Sequence, residues 1–515
     1  MGEDDSDKTL GIDLGTTNSA MAIIEADEPR MLQNNEGDPL TPSVVYYPED
    51  GSPEVGKAAD SRASSYPAST EREVKLEIGN SEYRFETHGD VYSSVDVSAE
   101  ILKKLRSDAG DYLGGMPTEA VITVPAYFTS DQKRNTLKAG KEAGFEDVQL
   151  TDEPVAATFA YEEEAEEQTD GNVLVFDFGG GTLDISIINI DNDPDEDLDA
   201  RYEVLVSEGN NSLGGSDFDE AISLHLAKQI SDIEVDPDEL LDDPEIKENL
   251  RASAERAKIE LSSSDEVDVT KPYLGMMDGE PVALDQTLSR DEFENLIDEH
   301  LEEIREEIRS ALDNAGLSGS DLEMVLLVGG STYIPAVREI VEEETGVEPN
   351  RSRDPDQIVG MGAAVYAERA ITKVEGEDEG DDKGEGGEKK TGTDDIEVIE
   401  RVTRSIGTRL VDGSFDSIVE KGIEVSEAEG TGLYTTVEDN QTIVTIDVYQ
   451  GESERAEDNE KLDEFKLRDI PEMPKGDPEI EVTFCIDKNG ILQIEAEELK
   501  SGTSVIGEVE EDWSS

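Results

Sequence analysis

The chain has 515 residues, and 128 Asp and Glu against 43 Lys and Arg leave a formal net charge of -85. At roughly 100–200 residues per domain, this length excludes a single small binding module. So much negative charge excludes free attraction to nucleic-acid phosphate or an anionic membrane surface, so no nucleic-acid or membrane partner is expected.

No stretch approaches the ~18 apolar residues of a membrane span. The N-terminus MGEDDSDKTL is acidic and lacks the basic flank and apolar run of an export signal. Met1-Gly2-x-x-x-Ser6 matches an acylation pattern, but no basic second signal follows it. The single Cys485 has no internal disulfide partner, and His88, His225 and His300 are far apart in sequence, so a reduced, cytoplasmic location is expected. Low hydrophobicity with high charge is the signature of disorder, yet regular periodicity runs through most of the chain. A salt-adapted globular protein fits better, because at ~1 M salt the Debye length is only ~3 Å and surface carboxylates no longer repel at range. Poor stability in dilute buffer is expected.

In chain order, TLGIDLGTTNSAMAII (9–24) reads as strand, Gly/Thr turn, strand, and VLVFDFGGGTLDISII (173–188) reads the same way with Asp13 and Asp177 at matching places. Two equivalent hairpins suggest two similar lobes with a turn on each side of a shared ligand, although two ordinary hairpins would read alike. From Ser98, the residues Ile101, Leu102, Leu105 and Leu113 recur at near-helical spacing, and Thr129-x-x-Gln132 has capping-box spacing before a helix to Gly144. One long helix is predicted from Ser289-x-x-Glu292 to Gly316, with Phe293, Leu296, Ile297, Leu301, Ile304, Ile308 and Leu312 on one stripe. A strand VLLVGG (325–330), a helix after Pro335 and a final helix near Ala363 to Ala370 complete an alternating α/β region. Residues 373–395 hold one apolar residue among Gly, Asp, Glu and Lys, the composition of a flexible linker. Beyond it the period becomes two: Val444, Ile446 and Val448 alternate, then Ile480, Val482, Phe484 and Ile486, with Asn489-Gly490 as a tight hairpin turn. Cys485, on the other side of its strand from Phe484, reads as a packed or surface thiol.

Neither a P-loop nor a dinucleotide-binding glycine fingerprint is present. Gly15, Thr16, Thr17 and Asn18 nevertheless form a turn of small residues whose backbone amides and hydroxyls suit phosphate oxygens, and Gly179, Gly180, Gly181 and Thr182 offer a second. Asp13, Asp177 and Asp184 beside these turns would repel a polyphosphate unless a divalent cation intervenes. Mg²⁺, held through water by few carboxylates, fits. Each turn alone could be ordinary hairpin chemistry.

The motifs GIDLGTTNS (11–19), EAVITVPAYF (119–128), DEPVAATFAY (152–161), VFDFGGGTLDIS (175–186), LGGSDFD (213–219), ERAKIELSS (255–263), VLLVGGSTYIP (325–335) and VGMGAA (359–364), in this order, resemble the 70-kilodalton heat-shock chaperone family of DnaK type, a member of the actin and sugar-kinase superfamily. EDNQTIVTIDVYQGE (438–452) and EVTFCIDKNGIL (481–492) resemble its peptide-binding domain. The resemblance implies an α/β, actin-like two-lobed ATPase domain (1–372), the acidic linker (373–395), an all-β sandwich for extended apolar peptides (396–510) and a tail (511–515). It implies ATP or ADP with Mg²⁺ and K⁺, unfolded polypeptide as client, and J-domain and nucleotide-exchange co-chaperones. Thr16, Thr17 and Asn18 match the first phosphate loop after Gly15, and Gly180, Gly181 and Thr182 the second. Asp13 and Asp184 match metal-side carboxylates, while Lys75, Glu153, Asp177 and Thr182 match catalytic positions. Gly214, Gly215, Glu255, Lys258, Ser262, Gly329, Gly330 and Asp356 match nucleoside contacts. Tyr333 stands where the family has an arginine stacked on adenine, and an aromatic face replaces the plane but not the charge.

The same resemblance places peptide contacts at Thr408, Val411, Tyr434, Val437, Val444 and Ile446, and implies a shallower pocket because Thr408 and Val411 replace larger apolar groups. Two departures shape the expectation. Charges interrupt the apolar side chains of IEVIER (396–401) after the acidic linker, which weakens the expected coupling between domains. The sequence also stops at Ser515, where the family continues into a helical lid, so rapid peptide exchange is expected. A small-molecule kinase of the superfamily, or a nucleotide-gated scaffold without turnover, are the alternatives.

Overall fold

A computed structural model describes residues 8–26, 28–164, 169–192, 200–230, 237–277, 279–350, 354–371, 396–399, 401–402, 404–487 and 489–508. The acidic segment 373–395 and the tail 511–515 lie outside the described residues. The chain divides into two compact units, Met1–Ala126 with Thr136–Ile396, and Tyr127–Asn135 with Glu397–Ser515.

The larger unit is built on two sheets of related design. In the first, strands run in the order Asp147–Asp152, Glu119–Val124, Leu10–Asp13, Asn18–Glu25, Glu28–Met31. Leu10–Asp13 pairs in parallel with Glu119–Val124 and antiparallel with Asn18–Glu25. In the second, Gly171–Phe178 pairs in parallel with Leu322–Val328 and antiparallel with Leu183–Asp191. Each repeated hairpin therefore makes the same pairings in its own sheet, its first strand lying beside a parallel strand. Both first strands are almost wholly buried, which explains why they read as apolar runs rather than alternations.

The helices follow the apolar stripes, with three corrections. The first stripe begins earlier than Ser98, because Ser93 and Asp96 form a capping box and the helix spans Ser94–Leu113 to Gly114 at φ 78°. The single helix predicted after Ser289 is two helices, Arg290–Leu296 and Asp298–Ala315, broken at Ile297 (φ -104°, ψ 10°). The break lets Phe293 and Ile297 both reach the core, where they are 1% and 0% exposed. A stripe records which residues are buried, and it stays nearly in phase through a one-residue bend.

The last helix of this unit is Ile358–Tyr366, starting before the expected Ala363. Its glycines hid it, since glycine costs a helix about 1 kcal/mol relative to alanine. Packing is the reason they are there. A β-carbon at Gly362 would lie 1.6 Å from the Ala156 carbonyl oxygen, and one at Gly11 would lie 2.3 Å from Ala364 N. The helix thus lies against strand Leu10–Asp13 and helix Glu153–Glu164, the elements that carry Asp13 and Glu153.

The smaller unit is a sandwich of two antiparallel four-stranded sheets. One runs Phe415–Val419, Ile406–Arg409, Val444–Gln450, Glu460–Leu467, and the other Glu429–Tyr434, Ile480–Ile486, Leu492–Glu498, Thr503–Glu508. Val448, Val482, Phe484, Leu492 and Ala496 are fully buried between them. Cys485, next to Phe484, is exposed. The Asn489-Gly490 turn is wider than a two-residue hairpin: Ile486 pairs with Leu492, and Asp487 Oδ1 accepts from the amides of Asn489 and Ile491 while Gly490 adopts φ 73°.

Gly362→Ala should lower the stability of the larger unit by roughly 1–3 kcal/mol through overpacking. Gly360→Ala, whose β-carbon would meet nothing closer than Ala20 Cβ at 3.4 Å, should be nearly neutral. Thermal unfolding of both variants in molar KCl checks the contrast.

Candidate functional site

The two repeated turns open onto one cleft of about 550 Å³ in the larger unit. Gly15, Thr16, Thr17 and Asn18 line it from the first sheet, and Gly179, Gly180 and Thr182 from the second. The turns touch: a β-carbon at Gly180 would lie 1.8 Å from Thr17 Oγ1, and one at Gly181 2.8 Å from Thr16 Cγ2. Only glycine permits that approach. Gly214 and Gly215 lie behind the second turn, where Gly215 N donates to Gly179 O and Ser216 N to Gly180 O. Gly181, Gly214, Gly215 and Asp184 are thus structural neighbours of the cleft wall rather than part of it.

At the base of the cleft is a buried charge cluster. Lys75, in the turn Val74–Glu77, donates to Glu153 Oε1 at 2.6 Å, and the two side chains are 9% and 7% exposed. Asp13 ends its strand opposite Thr123, whose hydroxyl donates to Asp13 Oδ1 at 3.4 Å. Burial, then the Glu153 charge, pushes the Asp13 carboxyl up to about 7, although Lys75 and Thr123 pull it down. Burial with the charges of Glu153 and Asp13 raises Asp177 well above the ordinary carboxylate range. Burial pushes Lys75 down, but Glu153, Asp13 and Asp177 outweigh it and hold its pKa above the ordinary lysine value. Three carboxylates around one ammonium leave surplus negative charge.

This donor set bears on the expected metal. Asp177 and Asp184 are directly opposed across their hairpin, and like charges so placed repel. Among the described residues, no three side chains of His, Cys, Asp or Glu come close enough to cage an ion directly. Hard carboxylate oxygens and surplus charge fit Mg²⁺ that keeps its waters.

The other wall is the face of helix Pro244–Leu261 and the turn after it, from which Glu255, Lys258 and Ser262 line the cleft. Lys258 Nζ donates to Gly215 O and to Asp219 Oδ2, each at 2.7 Å. Opposite are Gly329, Gly330, Tyr333 and Asp356. Gly329 needs its φ of 81°, and a β-carbon there would lie 2.5 Å from Phe178 O. Tyr333 is 37% exposed and donates to Asp354 Oδ1 at 3.1 Å. Burial, then Asp354, raises the Asp356 carboxyl to about 6.

Among the cleft residues missed in the sequence are Glu73, Ser216, Asp219 and Arg251. Arg251 lies one turn before Glu255 and donates to it at 3.1 Å, so helical spacing could have found it. Asp219 lies within LGGSDFD, and burial raises its carboxyl to about 6 against the pull of Lys258.

In the smaller unit, the peptide-contact candidates divide by exposure. Val411 is 85% and Val437 41% exposed, whereas Ile446 is 4% exposed within the sandwich core. Thr408 is buried and donates to Asp447 O at 2.9 Å. Tyr434 and Val444 are half-buried against the core, and Tyr434 donates to Asp416 Oδ2 at 2.7 Å.

The family model described as Hsp70 protein matches residues 9–513. The chaperone protein DnaK of Halobacterium salinarum is 40% identical over 500 residues, covering 97% of this chain and 74% of the relative. DnaK from a second strain of the same organism gives the same figures. No described helix is long and apolar enough to cross a membrane.

Breaking a buried pair by removing one partner costs roughly 3–5 kcal/mol. Lys75→Met, which strands three carboxylates, should destabilise the larger unit by about that much, measured by denaturant unfolding without nucleotide or Mg²⁺. Glu153→Gln should cost far less, because Lys75 keeps Asp13 and Asp177. Since the Lys75 pKa is raised, its contribution is fully present at neutral pH and is lost only as pH rises past the ordinary lysine range.

Proposed function

The chain belongs to the Hsp70 family, and from that premise we propose that the cleft of its larger unit binds and hydrolyses ATP through the two hairpin turns and Lys75. It is an ATPase and a DnaK-like chaperone for unfolded polypeptide, which sets aside the sugar-kinase and non-hydrolysing alternatives. The observation that carries the site reading is convergence: two amide-rich turns, a buried lysine among carboxylates and an aromatic wall share one cleft.

Phosphoryl transfer to water needs positioning and charge neutralisation more than covalent chemistry. In our reading, the amides of Gly15 to Asn18 and of Gly180 to Thr182 hold the phosphate oxygens from two sides. The Lys75 ammonium, kept protonated by its neighbours, orients the attacking water and faces the charge that develops on the γ-phosphate. Asp177 accepts the water proton, Glu153 holds Lys75 in place, and the Thr182 hydroxyl fixes the geometry around them. Asp13 would hold Mg²⁺ through water, with Asp184 adding its charge from behind the cleft wall, and that ion, when bound, would supply further charge neutralisation at the phosphates. K⁺ enters on the resemblance alone. Glu255, Lys258 and Ser262 take the nucleoside on one side, Gly329, Gly330 and Asp356 on the other, and the Tyr333 ring stacks on adenine without adding charge.

We propose the organisation 1–372 for the nucleotide domain, 373–395 for the linker and 396–510 for the peptide domain. Stimulated turnover on addition of a J-domain protein would support that class of partner. Turnover in molar KCl tests the site: Asp177→Asn should lower hydrolysis roughly 10²- to 10⁴-fold while ADP binding persists, and unfolded peptide should stimulate only the unaltered chain. Unchanged turnover would remove Asp177 from the reaction.

The peptide site has a separate test, because exposure divides its candidates. Val411→Asp should weaken binding of an apolar peptide without lowering the unfolding midpoint, whereas Ile446→Asp should unfold the sandwich by burying an unpaired charge. Fluorescence anisotropy of a labelled peptide and circular dichroism read the two effects.

A further inference from the structure

The segment that carries Lys75 also spans the cleft. Strand Thr70–Arg72 belongs to a small sheet beside the first lobe, and the turn Val74–Glu77 follows almost at once. Between them Glu73 adopts φ 54°, a left-handed backbone that is strained for a residue with a β-carbon. Such strain persists only where the surroundings fix it, and here they do. Arg72 Nη2 lies 2.6 Å from Asp60 on its own lobe and 3.0 Å from Glu248 on helix Pro244–Leu261 across the cleft. The Glu73 carboxylate accepts a hydrogen bond from the Ser216 hydroxyl, on the second residue of helix Gly215–Gln229. Adjacent residues thus tie the first lobe to two different helices of the second, and neither contact has a part in the chemistry described above.

On the reading that this cleft holds nucleotide, we propose that Arg72 and Glu73 form a clasp across it that positions Lys75 and sets the rate at which nucleotide leaves. The turn bearing Lys75 is anchored on Glu73, whose carbonyl accepts from Leu76 N at 3.0 Å, so a shift of Glu73 moves the turn. The Arg72 and Glu248 side chains are 22% and 14% exposed, so salt screens this pair less than a surface pair. Glu248 is itself held by two guanidinium nitrogens of Arg251, whose third nitrogen reaches Glu255. The clasp therefore continues into the proposed nucleoside wall. Any parting of the two sides of the cleft to release nucleotide must break both contacts.

The test is release of a fluorescent ADP from the full chain, chased by unlabelled ATP, together with single-turnover hydrolysis of pre-bound ATP. Loss of a hydrogen bond to a charged group is worth roughly tenfold or more in a rate. Arg72→Met, Glu73→Ala and Ser216→Ala should each release ADP about tenfold faster and slow the single turnover. Glu73→Gln keeps an acceptor for the Ser216 hydroxyl and should release more slowly than Glu73→Ala. The Glu73→Ala/Ser216→Ala double variant should release no faster than either single one, because one bond is lost in all three. A general loosening of the fold would instead make the two effects add. Should Arg72→Met fail to fold, the Glu73 and Ser216 series decides alone. Wild-type release rates in these variants, or additive effects, overturn the clasp. Failure of the unaltered chain to bind the ADP probe overturns the nucleotide reading beneath it.

Discussion

One buried lysine among three carboxylates constrains everything around it. A group of this kind survives away from water only if each charge has a partner, and Lys75 can fully satisfy one carboxylate. Asp13 and Asp177 are left with protonation pushed upward and with an appetite for positive charge. That imbalance favours a bound cation and phosphate together over either alone, because a polyphosphate by itself would meet like charge. The architecture serves the imbalance: Asp13 is the last residue of its strand and Asp177 the last but one of its own, and a helix packed against the first sheet supplies Glu153.

The glycines are the second condition. They permit the turns to meet at the cleft and permit helix Ile358–Tyr366 to lie against the strand and helix that carry Asp13 and Glu153. A methyl group at Gly180 would strike Thr17, and one at Gly362 would strike a backbone carbonyl. Removing a glycine at either place therefore disturbs the charge cluster without touching a charge.

Much of this could be read from the residues. The two hairpins were legible because a strand that ends in Asp and small turn residues looks the same wherever it occurs, and the sandwich was legible from its period of two. The bend at Ile297 was not, since an apolar stripe specifies a buried face and not a straight axis. The start of the last helix was obscured because propensity penalises the glycines that its packing needs. Among cleft residues, Glu73 carried no signal: a carboxylate in so acidic a chain reads as surface, and only the left-handed backbone at Glu73 sets it apart. In the sandwich, resemblance alone could not separate Val411, which faces solvent, from Ile446, which is core.

The distribution of positive charge links the site to the composition. With 43 basic residues for 128 acidic ones, carboxylates outnumber basic side chains about three to one. Exposed pairs such as Lys57–Asp38, at 68% and 50% exposure, add little in any salt and less as the Debye length contracts. Pairs withdrawn from solvent keep their strength, and Lys75, Lys258, Arg72 and Arg251 are all part-buried or buried around the cleft. High ionic strength would thus quiet the surface while leaving the electrostatics of this cleft largely intact. A chain built in this way can carry a very acidic exterior and still position an anionic substrate, because the charges that matter for the substrate are the ones salt reaches least.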